Sequence, residues 1–122
     1  MVSRTRTLLA AIAVTALALF AVGCGGDRSA ATVTLSEFTI KPKGVLLRSG
    51  QPALLTIVNA GKIEHNLKLD PAVTDTFLPE ILKPGERATV SFTPKTSGTF
   101  EYACTIPGHA PAGMTGAITI GA

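Results

Sequence analysis

The segment Cys104-Thr-Ile-Pro-Gly-His109-Ala-Pro-Ala-Gly-Met114 lies near the end of the 122-residue chain. Its thiol, imidazole and thioether follow one another with four residues in each gap. Thiolate and thioether are soft ligands that suit copper, and imidazole binds copper, zinc, iron or nickel. A site of two histidines and one cysteine with a weak axial methionine is the arrangement of blue-copper electron-transfer centres. The segment therefore predicts most of a metal site.

The second histidine that such a site needs is His65, because the chain contains only two histidines. The only other cysteine, Cys24, follows an apolar N-terminal run. Considered alone, a cysteine is more often a small buried hydrophobe than a ligand, and a methionine usually fills core space. Considered together, the donors favour a single copper ion. The predicted ligands are His65, Cys104, His109 and Met114.

These residues resemble the ligand loop of the cupredoxins, the small blue type 1 copper proteins such as azurin, plastocyanin and rusticyanin. The run from Cys104 to His109 is close to the azurin form, and the gap between His109 and Met114 matches the rusticyanin form. An upstream histidine followed by asparagine, as in His65-Asn66, is also a family feature. The resemblance covers about residues 32–120. It implies a cupredoxin-like fold and a one-electron carrier cycling between Cu(II) and Cu(I), which is not an enzyme.

The resemblance also implies roles for residues around the ligands. Asn66 would brace the ligand loop and direct its backbone N–H at the cysteine sulfur, and Ile106 would supply a second N–H to that sulfur. A simple turn residue is the alternative for Asn66. The small residues around His109 would form the surface on which redox partners dock, or would only permit a tight turn. These residues are Pro107, Gly108, Ala110, Pro111 and Ala112.

The pattern of the remaining chain predicts strands. Runs rich in β-branched residues alternate with turn signals that contain proline and glycine. Such short, regularly spaced runs indicate an all-β fold, a Greek-key sandwich or barrel of about seven to eight strands. Residues 71–81 lack a clear strand pattern and predict a short helix or a long loop. The strand candidates are residues 32–40, 45–47, 53–59, 66–69, 88–93, 98–104 and 117–120.

Residues 1–23 are interpreted as a signal peptide. Two arginines precede an apolar run of 16 residues, which is shorter than the about 20 residues that cross a bilayer. The run ends in Ala-Val-Gly-Cys24, which resembles a bacterial lipobox. We expect lipidation of Cys24, with ordinary cleavage at a nearby small residue as the alternative. Residues 24–31 would then be a lipidated tether, and residues 32–122 the copper-binding domain.

Charge and export limit the expected partners. Without the two leader arginines, nine basic and eight acidic residues remain, a net charge of +1 that does not indicate nucleic-acid binding. We expect a monomer held at the periplasmic or extracellular face of the cell membrane by its lipid. Its partners would be redox proteins, such as cytochromes, respiratory complexes of the membrane or copper enzymes.

Other functions remain open at this point. An extracytoplasmic copper-delivery protein would use the same ligands without transferring electrons. An enzyme of the copper-oxidase or nitrite-reductase kind would need additional histidines for a second copper site, and both histidines are already assigned. A nucleophile formed by Cys104 and His109 would leave Met114 unexplained.

Overall fold

The computed structural model describes residues 29–76 and 78–122, so the predicted signal peptide, Cys24 and residues 25–28 of the tether lie outside the described residues. The described part contains eight strands and no helix, which confirms the all-β prediction. The strands are β1 (Ser29–Ser36), β2 (Thr39–Lys41), β3 (Gly44–Arg48), β4 (Ala53–Asn59), β5 (Lys68–Leu69), β6 (Arg87–Phe92), β7 (Gly98–Ala103) and β8 (Thr115–Gly121). Residues 29–76 and 78–122 therefore contain no helix that is long and apolar enough to cross a membrane.

The strands form two four-stranded sheets around one core. Their orders are β2-β1-β4-β6 and β3-β8-β7-β5. β1 runs parallel to β4 and β3 runs parallel to β8, whereas the other pairs are antiparallel. Most neighbours are therefore joined by crossovers and not by hairpins, as in a Greek-key sandwich.

Alternation along the strands fills the core. Every second residue of β4, from Ala53 to Asn59, is buried. The inward face of β6 carries Ala88, Val90 and Phe92. Burying one such Leu, Ile, Val or Phe side chain contributes about 1.5–3 kcal/mol. The largest fully buried apolar side chains come from both sheets: Leu35, Ile40, Leu47, Leu55, Ile57, Tyr102, Ile118 and Ile120.

The predicted strand of residues 32–40 is two strands. A turn at Glu37 and Phe38 reverses the chain, so that Ser36 pairs with Thr39. Phe38 makes this turn with a φ of 54°, a conformation that its side chain does not favour. Because neither glycine nor proline marks the turn, the sequence pattern did not reveal it.

Two further strands differ from the prediction in their bounds, and the loop that follows them is now defined. β1 begins at Ser29, whose N–H donates to the Pro52 carbonyl at 3.1 Å, so residues 29–31 belong to the sheet and not to the tether. β5 contains only Lys68 and Leu69, because the preceding Asn66 makes side-chain contacts outside the sheet. The described residues of 71–81 form a loop with turns, which is one of the two predicted alternatives.

The fold brings the metal-binding segments together at one end of the sandwich. Residues 104–114, here called the ligand loop, join β7 to its antiparallel neighbour β8. Residues 59–66, here called the upstream segment, leave the end of β4 and lead to β5. His65 is not at the start of a strand but forms an isolated antiparallel bridge with Leu82.

Candidate metal centre

Three of the four predicted ligands meet in one buried cluster. The Nδ1 atoms of His65 and His109 are 3.3 Å apart, and Nδ1 of His109 is 3.5 Å from Sγ of Cys104. One donor atom from each of the three residues lies within 4.8 Å of the other two. His65 and Cys104 are fully buried, whereas His109 is 8% exposed.

The spacing of these atoms fits one metal ion. Metal–nitrogen bonds of about 2.0 Å and metal–sulfur bonds of about 2.3 Å, at tetrahedral to trigonal angles, place donor atoms about 3.3–3.7 Å apart. The two close contacts that involve His109 fall in this range. A thiolate with two imidazoles is also a donor set that suits copper. Geometry and chemistry therefore agree on the type of site.

The ligand loop keeps its shape mainly through its own backbone. The N–H of His109 donates to the Ile106 carbonyl at 3.0 Å, and the N–H of Ala112 donates to the Gly108 carbonyl at 3.2 Å. Gly108 has a φ of 84°, which glycine adopts without the penalty that a side chain would bring. These short-range bonds turn the chain twice within the loop. They position His109 at the cluster, and distant side chains add contacts at Thr105, His109 and Gly113.

Cys104 and Met114 pair across the base of the ligand loop. The N–H of Cys104 donates to the Met114 carbonyl at 3.0 Å, and the N–H of Met114 donates to the His109 carbonyl at 3.1 Å. Met114 is fully buried. The backbone thus ties the three loop residues together, and the thioether of Met114 as a fourth ligand stays a prediction.

The upstream segment, in contrast, is held by contacts with remote parts of the chain. His65 exchanges two backbone hydrogen bonds with Leu82, at 3.1 and 2.8 Å. The fully buried Asn59 donates from Nδ2 to the carbonyls of Leu82 and Ile63, both at 2.8 Å, and accepts from the Gly61 N–H at 2.9 Å. This one amide closes the turn after β4 and joins it to the Leu82 segment.

Asn66 connects the upstream segment to the ligand loop. Its Oδ1 accepts from the Thr105 N–H at 2.7 Å, and its Nδ2 donates to Thr105 Oγ1 at 2.8 Å and to the Glu80 carbonyl at 2.9 Å. Because Thr105 follows Cys104, the amide links the neighbours of two ligands. These contacts are of the bracing kind that the resemblance implied. The N–H···S bonds expected from Asn66 and Ile106 stay predictions.

The environment of His65 favours its neutral form. Burial lowers the pKa of the imidazole, and His109 lowers it further, whereas the Glu37 carboxylate acts in the opposite direction. A neutral imidazole is the form that binds a metal, so acid competes with the metal only at a lower pH than for a free histidine. The pKa of Glu37, which for an ordinary carboxyl already lies well below neutral pH, is lowered further, mainly by the hydrogen bond from the Lys62 N–H.

Comparison with known proteins identifies the family. The family model described as a cupredoxin-like domain matches residues 8–119, nearly the whole chain. The chain belongs to the cupredoxin family. No curated protein sequence gives a significant match. A cupredoxin whose His65, Cys104 and His109 converge in this way is arranged to bind one ion of type 1 copper.

Solved structures with the cupredoxin fold include two auracyanins and a copper enzyme. The auracyanin of Roseiflexus castenholzii is 23% identical with a TM-score of 0.66, covering 80% of this chain and 100% of its own. Auracyanin A, a "blue" copper protein of Chloroflexus aurantiacus, is 20% identical with a TM-score of 0.62. The match covers 77% of this chain and 99% of that auracyanin. A copper nitrite reductase of Thermus scotoductus is 19% identical with a TM-score of 0.62, but the match covers 78% of this chain and only 28% of the enzyme. At these identities the likeness shows the shared fold.

The predicted docking residues lie on the surface of this cupredoxin. Pro107, Gly108, Pro111 and Ala112 are exposed, and Ala110 is partly exposed. Two apolar side chains from elsewhere in the sequence join them. The Phe38 ring, 49% exposed, meets the His109 imidazole edge to face with centroids 5.6 Å apart. Ile63, 43% exposed, lines a shallow pocket with His109. These seven residues are called the His109 face below.

Sequence reasoning missed several residues that shape the centre. Asn59 ends a strand and precedes a glycine, so it resembles any turn asparagine. Phe38 lies within a run of β-branched residues, and this pattern predicts a strand interior. Nothing in the local sequence around either residue indicates its role in the centre, because the contacts join positions far apart in the chain.

Proposed function

We propose that this cupredoxin is a one-electron carrier that acts at the outer face of a cell membrane. The observation that carries the proposal is the buried cluster of His65, Cys104 and His109, in which one imidazole alone reaches the surface. When bound there, copper would supply a one-electron Cu(II)/Cu(I) couple. The membrane location rests on the leader sequence, where a lipid on Cys24 would anchor the protein.

The chain's own contribution is to hold the donors still. The bridge between His65 and Leu82 fixes the first imidazole, and the Asn66 amide ties its segment to the residue after Cys104. Ligands held by packing and by surrounding hydrogen bonds keep their geometry when the charge at the site changes. A small structural change on oxidation or reduction favours rapid electron transfer. This rigidity supports a carrier of electrons more than a carrier that must release copper.

His109 is the proposed point of electron exchange. It is 8% exposed, whereas His65 and Cys104 are completely buried. The seven residues of the His109 face carry no charge, whereas the exposed Lys62 and Glu64 line the same pocket as His109 and Ile63. A redox partner can therefore contact an apolar surface at the imidazole while these two charges stay at its edge, in water. The partners of this face would be other redox proteins.

The test is a titration of the purified protein with Cu(II), followed by visible spectroscopy and voltammetry. We expect an intense thiolate-to-copper band and a reversible one-electron couple. Cys104→Ser replaces the soft thiolate with a hydroxyl and should abolish the band and weaken copper binding. A colourless wild type, or an intensely blue Cys104→Ser variant, would contradict the proposed site.

Met114→Gln serves as the control in the same titration. It exchanges a buried thioether for an amide oxygen, so the band should remain while the reduction potential falls, because a thioether favours Cu(I). An unchanged or raised potential would remove Met114 from the set of ligands. Ready exchange of copper without a reversible couple in the wild type would instead favour copper delivery.

Ala112→Asp tests whether the His109 face is used for docking. The variant places a charge on the exposed part of this face, which a partner would have to desolvate. The copper spectrum should stay intact, while electron exchange with a physiological partner should slow about tenfold or more, as expected for a loss of at least about 1.4 kcal/mol in the encounter.

Ala72→Asp is the matched control for that experiment. Ala72 is also exposed, and it lies beside Thr93 and Lys95, near the start of β7 and not near its ligand-bearing end. The two ends of the six-residue strand β7 are about 17 Å apart. Equal rates in the wild type and both variants would show that the His109 face is only a turn.

A further inference from the structure

The ring of His65 has one nitrogen that the metal cluster does not use. Nδ1 faces His109, whereas Nε2 is buried and has no hydrogen-bond partner among the described residues. A neutral imidazole that binds a metal through one nitrogen carries its proton on the other, so Nε2 is a donor. Metal-binding histidines almost always give this proton to a carboxylate, a backbone carbonyl or a water molecule, which fixes the ring.

Gly61 reveals which groups surround this nitrogen. A Cβ atom built on Gly61 would lie 2.9 Å from His65 Nε2, 2.8 Å from Glu37 Oε1 and 3.2 Å from Asn59 Oδ1. The three polar atoms therefore converge on the face of a residue that has no side chain. Each of the two oxygens already accepts one backbone N–H, Asn59 Oδ1 from Gly61 at 2.9 Å and Glu37 Oε1 from Lys62. The carboxylate has two oxygens with about four acceptor positions and a negative charge, so it retains capacity for another donor.

We propose that Glu37 is the positioning residue of His65: its carboxylate accepts the Nε2–H proton, directly or through one water molecule, and so fixes the orientation and tautomer of the ring. This inference rests on the proposed function. It extends the metal centre to the turn between β1 and β2, which contains none of the predicted metal-binding residues.

The turn is itself well placed for this role. Glu37 accepts the backbone N–H of Lys62, which attaches the carboxylate to the loop that leads to His65. The next residue, Phe38, contacts the ring of the other histidine, His109. A single turn at the end of the sandwich therefore contacts the His109 imidazole through an aromatic ring and brings a carboxylate to the same face of Gly61 as Nε2 of His65.

The first test compares the Cu(II) affinity and reduction potential of three variants, with affinity measured against a competing chelator. Glu37→Ala should weaken Cu(II) binding about 10–100-fold, the usual effect of removing the partner of a metal-bound histidine. Its potential should rise, because a less basic imidazole stabilises Cu(II) less. Glu37→Gln keeps an acceptor oxygen, so its Cu(II) affinity and its reduction potential should lie between those of Glu37→Ala and the wild type. Glu64→Gln removes the same charge from an exposed residue next to His65 and measures the effect of charge alone.

The second test observes the proton directly, through the Nε2–H resonance of His65 in the Cu(I)-loaded protein. Exchange of this proton with water should be slow in the wild type and in Glu64→Gln, and faster in Glu37→Ala. If Glu37 only holds the Lys62 N–H, Glu37→Ala will lower the melting temperature of the metal-free protein but leave the resonance and the potential unchanged.

The two proposals fail in different ways. If the wild type shows the thiolate band but Glu37→Ala matches Glu64→Gln in affinity, potential and proton exchange, Glu37 is not the acceptor and the proposed function stands. If the wild type shows no such band, the proposed function is overturned, and this inference with it.

Discussion

The two halves of the metal centre are stabilised in different ways. In the ligand loop, backbone groups within residues 104–114 bond to one another, as Cys104 does to Met114. In the upstream segment, side chains and backbone bond mostly to groups elsewhere in the chain, as Asn59 and His65 do to Leu82. The loop is therefore a local structure carried by two strands, whereas the position of His65 depends on the tertiary fold. Substitutions should affect the two halves differently.

Asn59→Ala should have the largest effect on stability. It removes two donated hydrogen bonds and one accepted hydrogen bond of a fully buried amide, and leaves the Leu82 and Ile63 carbonyls without this donor. We expect a loss of about 2–4 kcal/mol in the free energy of unfolding, measured by denaturant titration of the metal-free protein. The half-buried Asn66 is the comparison, and Asn66→Ala should cost less. A loss no larger than that of Asn66→Ala would show that the upstream segment does not depend on Asn59.

Gly113→Ala tests the ligand loop and should have a smaller effect. Gly113 has a φ of 120°, and an added Cβ would lie 3.1 Å from the Phe38 carbonyl oxygen. The strain should lower the free energy of unfolding by about 1–3 kcal/mol. Gly44→Ala is the control, since a Cβ there would meet no atom within 4 Å. Equal melting temperatures for the two variants would mean that the loop backbone is more adaptable than its hydrogen bonds indicate.

Phe38→Asn should have the smallest effect, and one of opposite sign. Asparagine tolerates the left-handed φ of 54° better than phenylalanine does, so the variant should gain up to about 1 kcal/mol in stability. It also removes the ring that contacts His109, so electron exchange should slow while stability rises. Phe38→Ala removes the same ring, but alanine tolerates this φ less well than asparagine does. It should therefore show the slower electron exchange with a smaller gain in stability. A destabilised Phe38→Asn would show that the exposed ring contributes more to packing than the turn costs in strain.

Much of the strand pattern could be predicted from the sequence, because alternation and turn signals act over a few residues. β4 has the bounds that its alternation predicted, and β3, β6, β7 and β8 differ by one or two residues at an end. The prediction failed where a distant contact overrides a local preference. The turn at Phe38 packs on the ligand loop, and Asn66 leaves the sheet to bond Thr105.

The sequence by itself determined the donor set, because soft and imidazole donors are few and their chemistry does not depend on the fold. It also determined the form of the ligand loop, since Gly108 and Gly113 allow the backbone turns that its short-range hydrogen bonds require. Only the tertiary structure decided how His65 reaches Cys104 and His109, and which groups surround its second nitrogen. Those positions arise from contacts such as Asn59 with Leu82 and the approach of Glu37 to Gly61. Such contacts join residues more than 20 positions apart, and they form only when two sheets pack over a common core.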